Sequence, residues 1–155
     1  MNPHKPESYY NLGNALCVKQ DYEGAIGFYK KAIELDDLNA PAFYNLGNAY
    51  YMIGDYDKAV KIYQKALKLN PESAECHFNI ASAYNDKKDY DEALWHYKES
   101  LWYDPDNVET MTCVAEGYER LKLYKEANDI CNQILKIEPN NSKVIDMKED
   151  YQSKI

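Results

Sequence analysis

The chain has 155 residues, of which 45% are hydrophobic and 28% are charged, and its formal net charge is −8. This length and composition indicate one globular domain, and the acidic surplus argues against nucleic acid, whose phosphates need a basic surface, while it permits a basic partner. Because no apolar run is long enough to span a bilayer and no apolar signal segment precedes Pro6, we expect a soluble, cytoplasmic protein.

A pattern with a period of 34 residues runs through the whole chain without an insertion. Its clearest rows are Gly13, Gly47, Ala81 and Ala115, then Ala25, Ala59, Ala93 and Ala127, and then Tyr29, Tyr63, Tyr97 and Cys131. Within each period, apolar residues recur three and four positions apart in two stretches, which predicts two amphipathic helices. One helical hairpin cannot bury its own apolar face, so successive hairpins are predicted to stack on each other.

In chain order, the pattern divides into a short leader and four units. Residues 1–5 are a leader or the remnant of a preceding repeat, since Asn2-Pro3 occupies the same place in the period as Asn70-Pro71. The units span residues 6–39, 40–73, 74–107 and 108–141. Side chains suited to cap a helix stand before the first helix of a unit at Asn39, Ser73 and Asn107, and before the second at Asp21, Asp55 and Asp89.

The fourth unit and the tail depart from the pattern. The fourth unit has Leu123 where the others have a capping aspartate, Cys131 where they have tyrosine, and Ile134 in place of a small residue. Its hairpin is therefore predicted to pack at a different angle. Residues 142–155 are predicted to form a capping helix with a polar outer face, as terminal repeats require. Its apolar stripe consists of Val144, Met147, Tyr151 and Ile155.

These rows resemble the tetratricopeptide repeat (TPR), a helical hairpin of the same period. The resemblance covers nearly all of the chain and implies an all-α fold, a right-handed α-solenoid of four TPR hairpins plus a C-terminal capping helix. In this family the first helix of each hairpin lines a concave groove. The resemblance therefore implies that one row of polar residues faces a ligand. That row is Asn11, Asn45 and Asn79, followed one turn later by Asn14, Asn48 and Glu116.

The asparagine row is similar to the asparagine ladder in the TPR superhelix of O-linked N-acetylglucosamine transferases. Here Asn11, Asn45 and Asn79 would form the ladder, and Cys113 interrupts it. A side-chain amide offers both a donor and an acceptor, which match the two polar groups of a peptide bond. The row thus predicts a groove that binds an extended peptide. The alternative is that Asn45 and Asn48 only cap or solvate the helices.

Aromatic and acidic residues surround the predicted ladder. The aromatic side chains, which are suited to anchor the side chains of a peptide, are Tyr10, Tyr44, Tyr51 and Phe78, with Met52 beside them. The carboxylates, which favour Lys or Arg in the ligand, are Glu75, Asp86, Glu109, Glu116 and Glu119. TPR modules that clamp the acidic C-termini of chaperones carry cations where this chain has Tyr10, Glu75 and Asn79. An anionic ligand is therefore disfavoured.

The sequence contains no recognisable motif for catalysis or for binding a cofactor. It contains no phosphate-binding glycine loop and no hydrolase or zinc-protease motif, so we expect no enzyme activity, no cofactor and no metal. Two of its three histidines, His77 and His96, lie in rows of apolar residues and are predicted to pack in the interior, and the third is His4. The cysteines show no metal-binding or redox spacing and are predicted to be reduced packing residues. They are Cys17, Cys76, Cys113 and Cys131.

Two tryptophans break the pattern of the third unit. Trp95 and Trp102 lie seven residues apart on its second helix and hence on one face. The equivalent residues of the second unit are Lys61 and Lys68, which are typical of a solvated surface. The tryptophans therefore predict a second contact surface, for a partner protein or another copy of the chain. The alternative is that both rings fold over neighbouring side chains, namely Lys98, Glu99 and Tyr103.

The sequence as a whole predicts a protein–protein interaction scaffold that binds an extended peptide segment in its groove. Two alternatives remain open. The first alternative is that the chain is the substrate-selecting arm of a larger enzyme such as a glycosyltransferase. The second is that it is a self-assembling structural array. The full-length gene would separate the scaffold from the enzyme arm by showing whether a catalytic domain follows. Measuring the particle size across concentrations would test the array.

Overall fold

The computed structural model describes residues 5–155, and the Asn2-Pro3 pair and His4 lie outside that range. Within it the chain forms nine α-helices and no strand. The helices are α1 (Pro6–Val18), α2 (Tyr22–Leu35), α3 (Ala40–Met52), α4 (Tyr56–Leu69), α5 (Ala74–Asp86), α6 (Tyr90–Tyr103), α7 (Val108–Arg120), α8 (Tyr124–Ile137) and α9 (Ser142–Lys154).

Each helix packs mainly against its neighbours in the chain, which is the contact pattern of a solenoid. In addition, α1 contacts α3 and α3 contacts α5, so the first helices of successive hairpins lie side by side. The predicted all-α solenoid of hairpins is thereby confirmed. No helix in the described range is long and apolar enough to cross a membrane.

Helix starts follow the predicted capping residues with one exception. The side chains of Asn39, Ser73 and Asn107 each accept a hydrogen bond from the backbone N–H three residues on. Those of Asp21 and Asp55 do the same for the second helices. The exception is Asp89, which occupies the position before α6 but whose side chain accepts no capping bond, so that prediction is wrong. Asn141, 34 residues after Asn107, continues this row and caps α9 in the same way.

Left-handed backbone closes the first helix of each hairpin. Gly54 has a φ of 79°, which a glycine adopts without strain. The equivalent positions hold Gln20, Lys88 and Lys122, with φ values of 61°, 65° and 61°. The fold therefore imposes this turn even where the sequence contains no glycine to signal it.

Close packing within a hairpin depends on the row of small residues. A Cβ atom on Gly47 would lie 2.5 Å from ring atoms of the buried Tyr63, and one on Gly13 would lie 2.5 Å from the ring of Tyr29. The third hairpin has Ala81 at this position. Tyr63 also donates a hydrogen bond to Asn48, so the glycine, the ring and the amide form one packed set. The glycines are thus explained by helix contact rather than by flexibility.

This packing predicts opposite effects at two glycines. Gly47→Ala is expected to lower the free energy of unfolding by about 1–3 kcal/mol, because the Tyr63 ring must move. A methyl group added at Gly27, on the exposed side of α2, would have no atom within 4 Å, so Gly27→Ala should raise stability by about 0.5–1 kcal/mol through helix propensity alone. Urea unfolding followed by circular dichroism measures both. Equal effects of the two substitutions would contradict the packing argument.

The C-terminal helix covers the fourth hairpin. Val144 and Tyr151 of α9 are fully buried in the same cluster as Cys131 and Ile134 of α8. The Tyr151 hydroxyl also donates a hydrogen bond to the Glu119 carboxylate, 3.1 Å away. The polar face of α9 remains exposed, which is the arrangement expected of a terminal cap.

Candidate functional site

The predicted groove contains a hydrogen-bond network that links one hairpin to the next. The Asn45 amide nitrogen donates to the Tyr10 hydroxyl at 3.1 Å and to the Asn14 side-chain oxygen at 3.0 Å. The Tyr29 hydroxyl donates to the same Asn14 oxygen at 2.8 Å. Four side chains from α1, α2 and α3 are thus joined, so the network ties the first hairpin to the second.

The same network recurs one repeat later. The Asn79 amide nitrogen donates to the Tyr44 hydroxyl and to the Asn48 side-chain oxygen, each at 3.0 Å, and the Tyr63 hydroxyl donates to that oxygen at 2.6 Å. An amide nitrogen carries two hydrogens, so those of Asn45 and Asn79 are both used. The expectation that each asparagine offers a ligand a donor as well as an acceptor is corrected here. Only the side-chain oxygens of Asn45 and Asn79 remain as acceptors.

The network ends between the third and fourth hairpins. Phe78 has no hydroxyl, Ser82 replaces the asparagine and Cys113 replaces the donor amide. The Ser82 hydroxyl instead donates to the Phe78 backbone carbonyl and lies 3.3 Å from the Tyr97 hydroxyl. Sequence reasoning missed the network, but a signal was present: three of its four rows change together in the third and fourth units.

Three pockets follow one another along the network. The first, of 200 Å³, lies beside Asn14, Asn45 and Asn48. The second, of 370 Å³, is lined by Asn48, Tyr51, Met52, Phe78 and Asn79, among others. The third, of 260 Å³, is lined by Tyr44, Glu75, Phe78, Asn79, Asp104 and Glu109, among others. Asn48 borders the first two pockets and Asn79 the last two, so the three pockets follow one another along the network.

Carboxylates line the C-terminal part of the groove. Glu75, Asp104 and Glu109 border the third pocket, and Glu75 is among the causes that raise the pKa of the Tyr44 hydroxyl, after burial. The Tyr51 hydroxyl donates to the Asp86 carboxylate at 2.6 Å, and burial together with this bond raises the pKa of Tyr51. The groove therefore combines neutral amide and aromatic surface with negative charge at one end.

Three predicted groove residues lie outside these pockets, and of these only Tyr10 is joined to the network, through Asn45. Asn11 is exposed on α1 and lines none of the three. Glu116 forms an ion pair with Lys143 of α9 at 2.9 Å and lines a separate cavity of 540 Å³ beside that helix. The structure thus brings together Asn14, Asn45, Asn48, Asn79, Tyr10, Tyr44, Tyr51 and Phe78, but neither Asn11 nor Glu116 joins them.

The two histidines pair in the interior of the third hairpin. Their Nδ1 atoms lie 3.1 Å apart, and both side chains are buried. Burial, and for His96 also the charge of its neighbour, lowers the pKa of both imidazoles, that of His96 to about 4. A hydrogen bond between two Nδ1 atoms needs one donor and one lone pair, so at most one of the two rings carries a proton on both nitrogens, and the lowered pKa values favour a neutral pair near pH 7.

Two of the four cysteines are buried, and no metal-binding cluster forms in the described part of the chain. Cys76 and Cys131 are buried, and burial raises the pKa of the Cys131 thiol to about 11. A thiol with so high a pKa is a poor nucleophile at neutral pH. Across residues 5–155, no three side chains of His, Cys, Asp or Glu lie close enough together to hold a metal ion.

The geometry defines a helical-repeat protein with a row of pockets beside a hydrogen-bond network between its first helices, and comparison with known proteins specifies the family. Three models of the TPR family match the chain, over residues 13–54, 40–73 and 62–94. Together they cover just over half of it. The chain belongs to the tetratricopeptide repeat family and is therefore a protein-interaction scaffold, a class that is generally not enzymatic.

Solved structures of MamA share this fold. One crystal structure of MamA is 26% identical in sequence, with a TM-score of 0.85 over 92% of this chain and 83% of that chain. A second has the same identity and a TM-score of 0.83, over 92% of this chain and 78% of that one. MamA from Desulfovibrio magneticus RS-1 is 19% identical, with a TM-score of 0.82 over 90% and 78%, and shows the fold alone. None of the curated proteins matches the chain.

Proposed function

We propose that the groove binds an extended, basic peptide segment of a partner protein. The observation that carries this proposal is the succession of three pockets, in which Asn48 and Asn79 are shared between neighbours. An extended chain places side chains at regular intervals, so pockets in a row suit successive side chains. A compact ligand would need one deep cavity instead.

The amide oxygens support binding of the peptide backbone. No described residue donates a hydrogen bond to the side-chain oxygen of Asn45 or Asn79, and both side chains are only half-buried. These oxygens accept N–H groups from the peptide, while Tyr10 and Tyr44 hold the amides in place through the nitrogen. A held amide loses little conformational entropy when a ligand binds.

The carboxylates support a basic ligand. Glu75, Asp104 and Glu109 border one pocket whose walls also include the rings of Tyr44 and Phe78. A Lys or Arg side chain fits this combination, because its apolar stem packs on the rings and its charge meets the carboxylates. The unpaired cysteines fit the reducing conditions of the cytoplasm, where we place the interaction.

A binding assay with defined peptides tests the proposal. The probe is a fluorescein-labelled peptide of alternating Lys and Ala, compared by anisotropy with one of alternating Glu and Ala. We expect the basic peptide to bind and the acidic one not to bind. Asn45→Ala and Asn79→Ala should each weaken binding severalfold and together more, since each neutral hydrogen bond contributes about 0.5–1.5 kcal/mol.

The same variants carry a structural cost that must be measured beside affinity. Removing Asn45 leaves the Tyr10 hydroxyl and the Asn14 oxygen without their donor, so thermal stability should also fall. Asn11→Ala is the matched control, because Asn11 is exposed and outside the pockets, and neither its stability nor its affinity should change. Unchanged binding by a folded variant that lacks Asn11, Asn45 and Asn79 would refute the role of the amides.

A further inference from the structure

The outer side of α6 carries two tryptophans that are open to solvent. Trp95 is 53% exposed and Trp102 is 80% exposed. The inner edge of Trp95 is held, because its ring lies 4.5 Å from the ring of the buried His96 at an angle of 84° and 6.2 Å from that of His77. A side chain already held in this way loses little freedom when a partner covers its open side.

The outer side of the preceding second helix, α4, carries a stripe of lysines. Lys61, Lys65 and Lys68 follow at helical spacing on one exposed face, and none of them forms an ion pair with a described residue, although the Lys65 Nζ lies 5.9 Å from the centroid of the Phe43 ring. This concentration of positive charge stands out on a chain whose net charge is −8. The three lysines produce a local positive potential that attracts an acidic group approaching this side of the chain.

The stripe and the tryptophans occupy equivalent positions on successive second helices. Helix α5 packs against both α4 and α6, and Lys87, in the turn before α6, forms an ion pair of 2.5 Å with Asp57, in the first turn of α4. Trp95 and Trp102 occupy the same repeat positions as Lys61 and Lys68. We name the two tryptophans and the three lysines of the stripe the lysine–tryptophan face.

We propose that the lysine–tryptophan face binds an acidic amphipathic segment of a partner protein. The segment presents apolar side chains to the tryptophan rings and carboxylates to the lysines. Tryptophan is enriched among the residues that contribute most to protein interfaces, and charge complementarity sets the orientation and the partner. The face lies on the exposed residues of the second helices, whereas the asparagine network lies mainly on the first helices, so the two ligands of opposite charge contact different residues.

The charge distribution favours a protein segment over an anionic bilayer. A bilayer is an extended negative surface and would repel the whole acidic chain as well as attract the three lysines. A short acidic segment meets only the local field, because charges beyond roughly 8–10 Å are screened at physiological salt. The three lysine positions of α4 and the three equivalent positions of α6 make six positions in all. The half-buried Glu99, which is equivalent to Lys65, is the only carboxylate among them.

The test uses the full chain and a synthetic acidic helix. The probe is a labelled peptide of Glu and Leu with the leucines on one face and no aromatic residue, so that protein tryptophan emission reports contact. We expect saturable binding, a blue shift of that emission, and weaker binding at higher salt. Trp102→Ala should weaken binding by about tenfold, and the triple variant Lys61→Glu/Lys65→Glu/Lys68→Glu by at least as much. All four positions are exposed, so the fold should be retained.

A matched triple variant separates the local face from net charge. Lys19→Glu/Lys122→Glu/Lys125→Glu makes the same change of charge at exposed sites away from the face and should bind the peptide nearly as well as the parent chain. Equal losses in the two triple variants would overturn the proposal. The proposal would also be overturned if a peptide with Lys in place of Glu bound as tightly as the Glu and Leu peptide. Sedimentation with phosphatidylserine vesicles but no peptide binding would assign the face to membranes, and a doubling of mass with a blue shift in the absence of peptide would assign it to a second copy.

Discussion

Removing residues 142–155 is expected to unfold the fourth hairpin and to lower the solubility of the chain. Helix α9 supplies Val144 and Tyr151, both fully buried, to the cluster that holds Cys131 and Ile134. Without α9 these apolar side chains of α8 would face water, and an exposed apolar face of a repeat promotes association. Circular dichroism should show a loss of helix beyond the deleted segment, and sedimentation should show aggregates. A truncated chain as soluble and as stable as the parent would mean that α9 is not a cap.

A point substitution isolates the same contact without shortening the chain. Tyr151→Ala removes a fully buried ring and its hydrogen bond to Glu119. We expect the free energy of unfolding to fall by about 3–5 kcal/mol, the range for large aromatic residues replaced in a core. Ile155→Ala, four residues on and 69% exposed, is the control and should change it by less than about 0.5 kcal/mol. Similar losses for both variants in urea unfolding would contradict the packing role of Tyr151.

Mild acid is expected to destabilise the third hairpin through its buried histidine pair. In the unfolded chain a histidine takes up a proton near its ordinary pKa of about 6.5. In the folded chain burial lowers the pKa of His96 to about 4 and also lowers that of His77. At a pH between the unfolded and the folded pKa of His96, the unfolded chain binds more protons than the folded chain. The contribution of the neutral pair to the free energy of unfolding is therefore fully present above pH 6.5 and is lost as the pH falls.

The expected loss for His96 alone is about 2 kcal/mol between pH 7 and pH 5, with a further loss in the same direction from His77. A second proton would also break the Nδ1 to Nδ1 hydrogen bond, because both atoms would then be donors. Changing the pH alters the charge of the whole chain as well as that of the pair, so a control is needed. Urea unfolding at each pH, for the parent chain and for a variant without the pair, separates the two sources.

The repeat pattern itself supplies that control. The second unit has Phe43 and Ile62 at the positions of His77 and His96, so His77→Phe/His96→Ile places residues that this fold already accepts. The double variant should lose clearly less stability than the parent chain between pH 7 and pH 5. If the two chains lose the same amount, the pair does not titrate as its burial implies.

Much of the fold was predictable from the sequence because a solenoid forms its contacts between chain neighbours. The row of Gly13, Gly47, Ala81 and Ala115 marked where helices approach closely, and the Tyr29 and Tyr63 rings do pack against the two glycines. Caps such as Asn39 act on a backbone N–H only three residues away, so they too could be predicted locally. The prediction for Asp89 was wrong because the sequence gives the position of a residue before a helix but not the direction in which its side chain points.

The candidate site was predictable in its location but not in its bonding. The sequence by itself determined which asparagines recur and which helix carries them, since both follow from the period. Only the tertiary structure decided that the amide nitrogens of Asn45 and Asn79 are used up by the preceding hairpin, that Glu116 pairs with α9, and that two histidines from different helices meet. The physical reason is range: helix formation depends on residues a few positions apart, and the stacking of hairpins repeats with the period. The partner of a polar side chain depends on atoms that the packing of different helices brings within about 3 Å, which no spacing along one chain specifies.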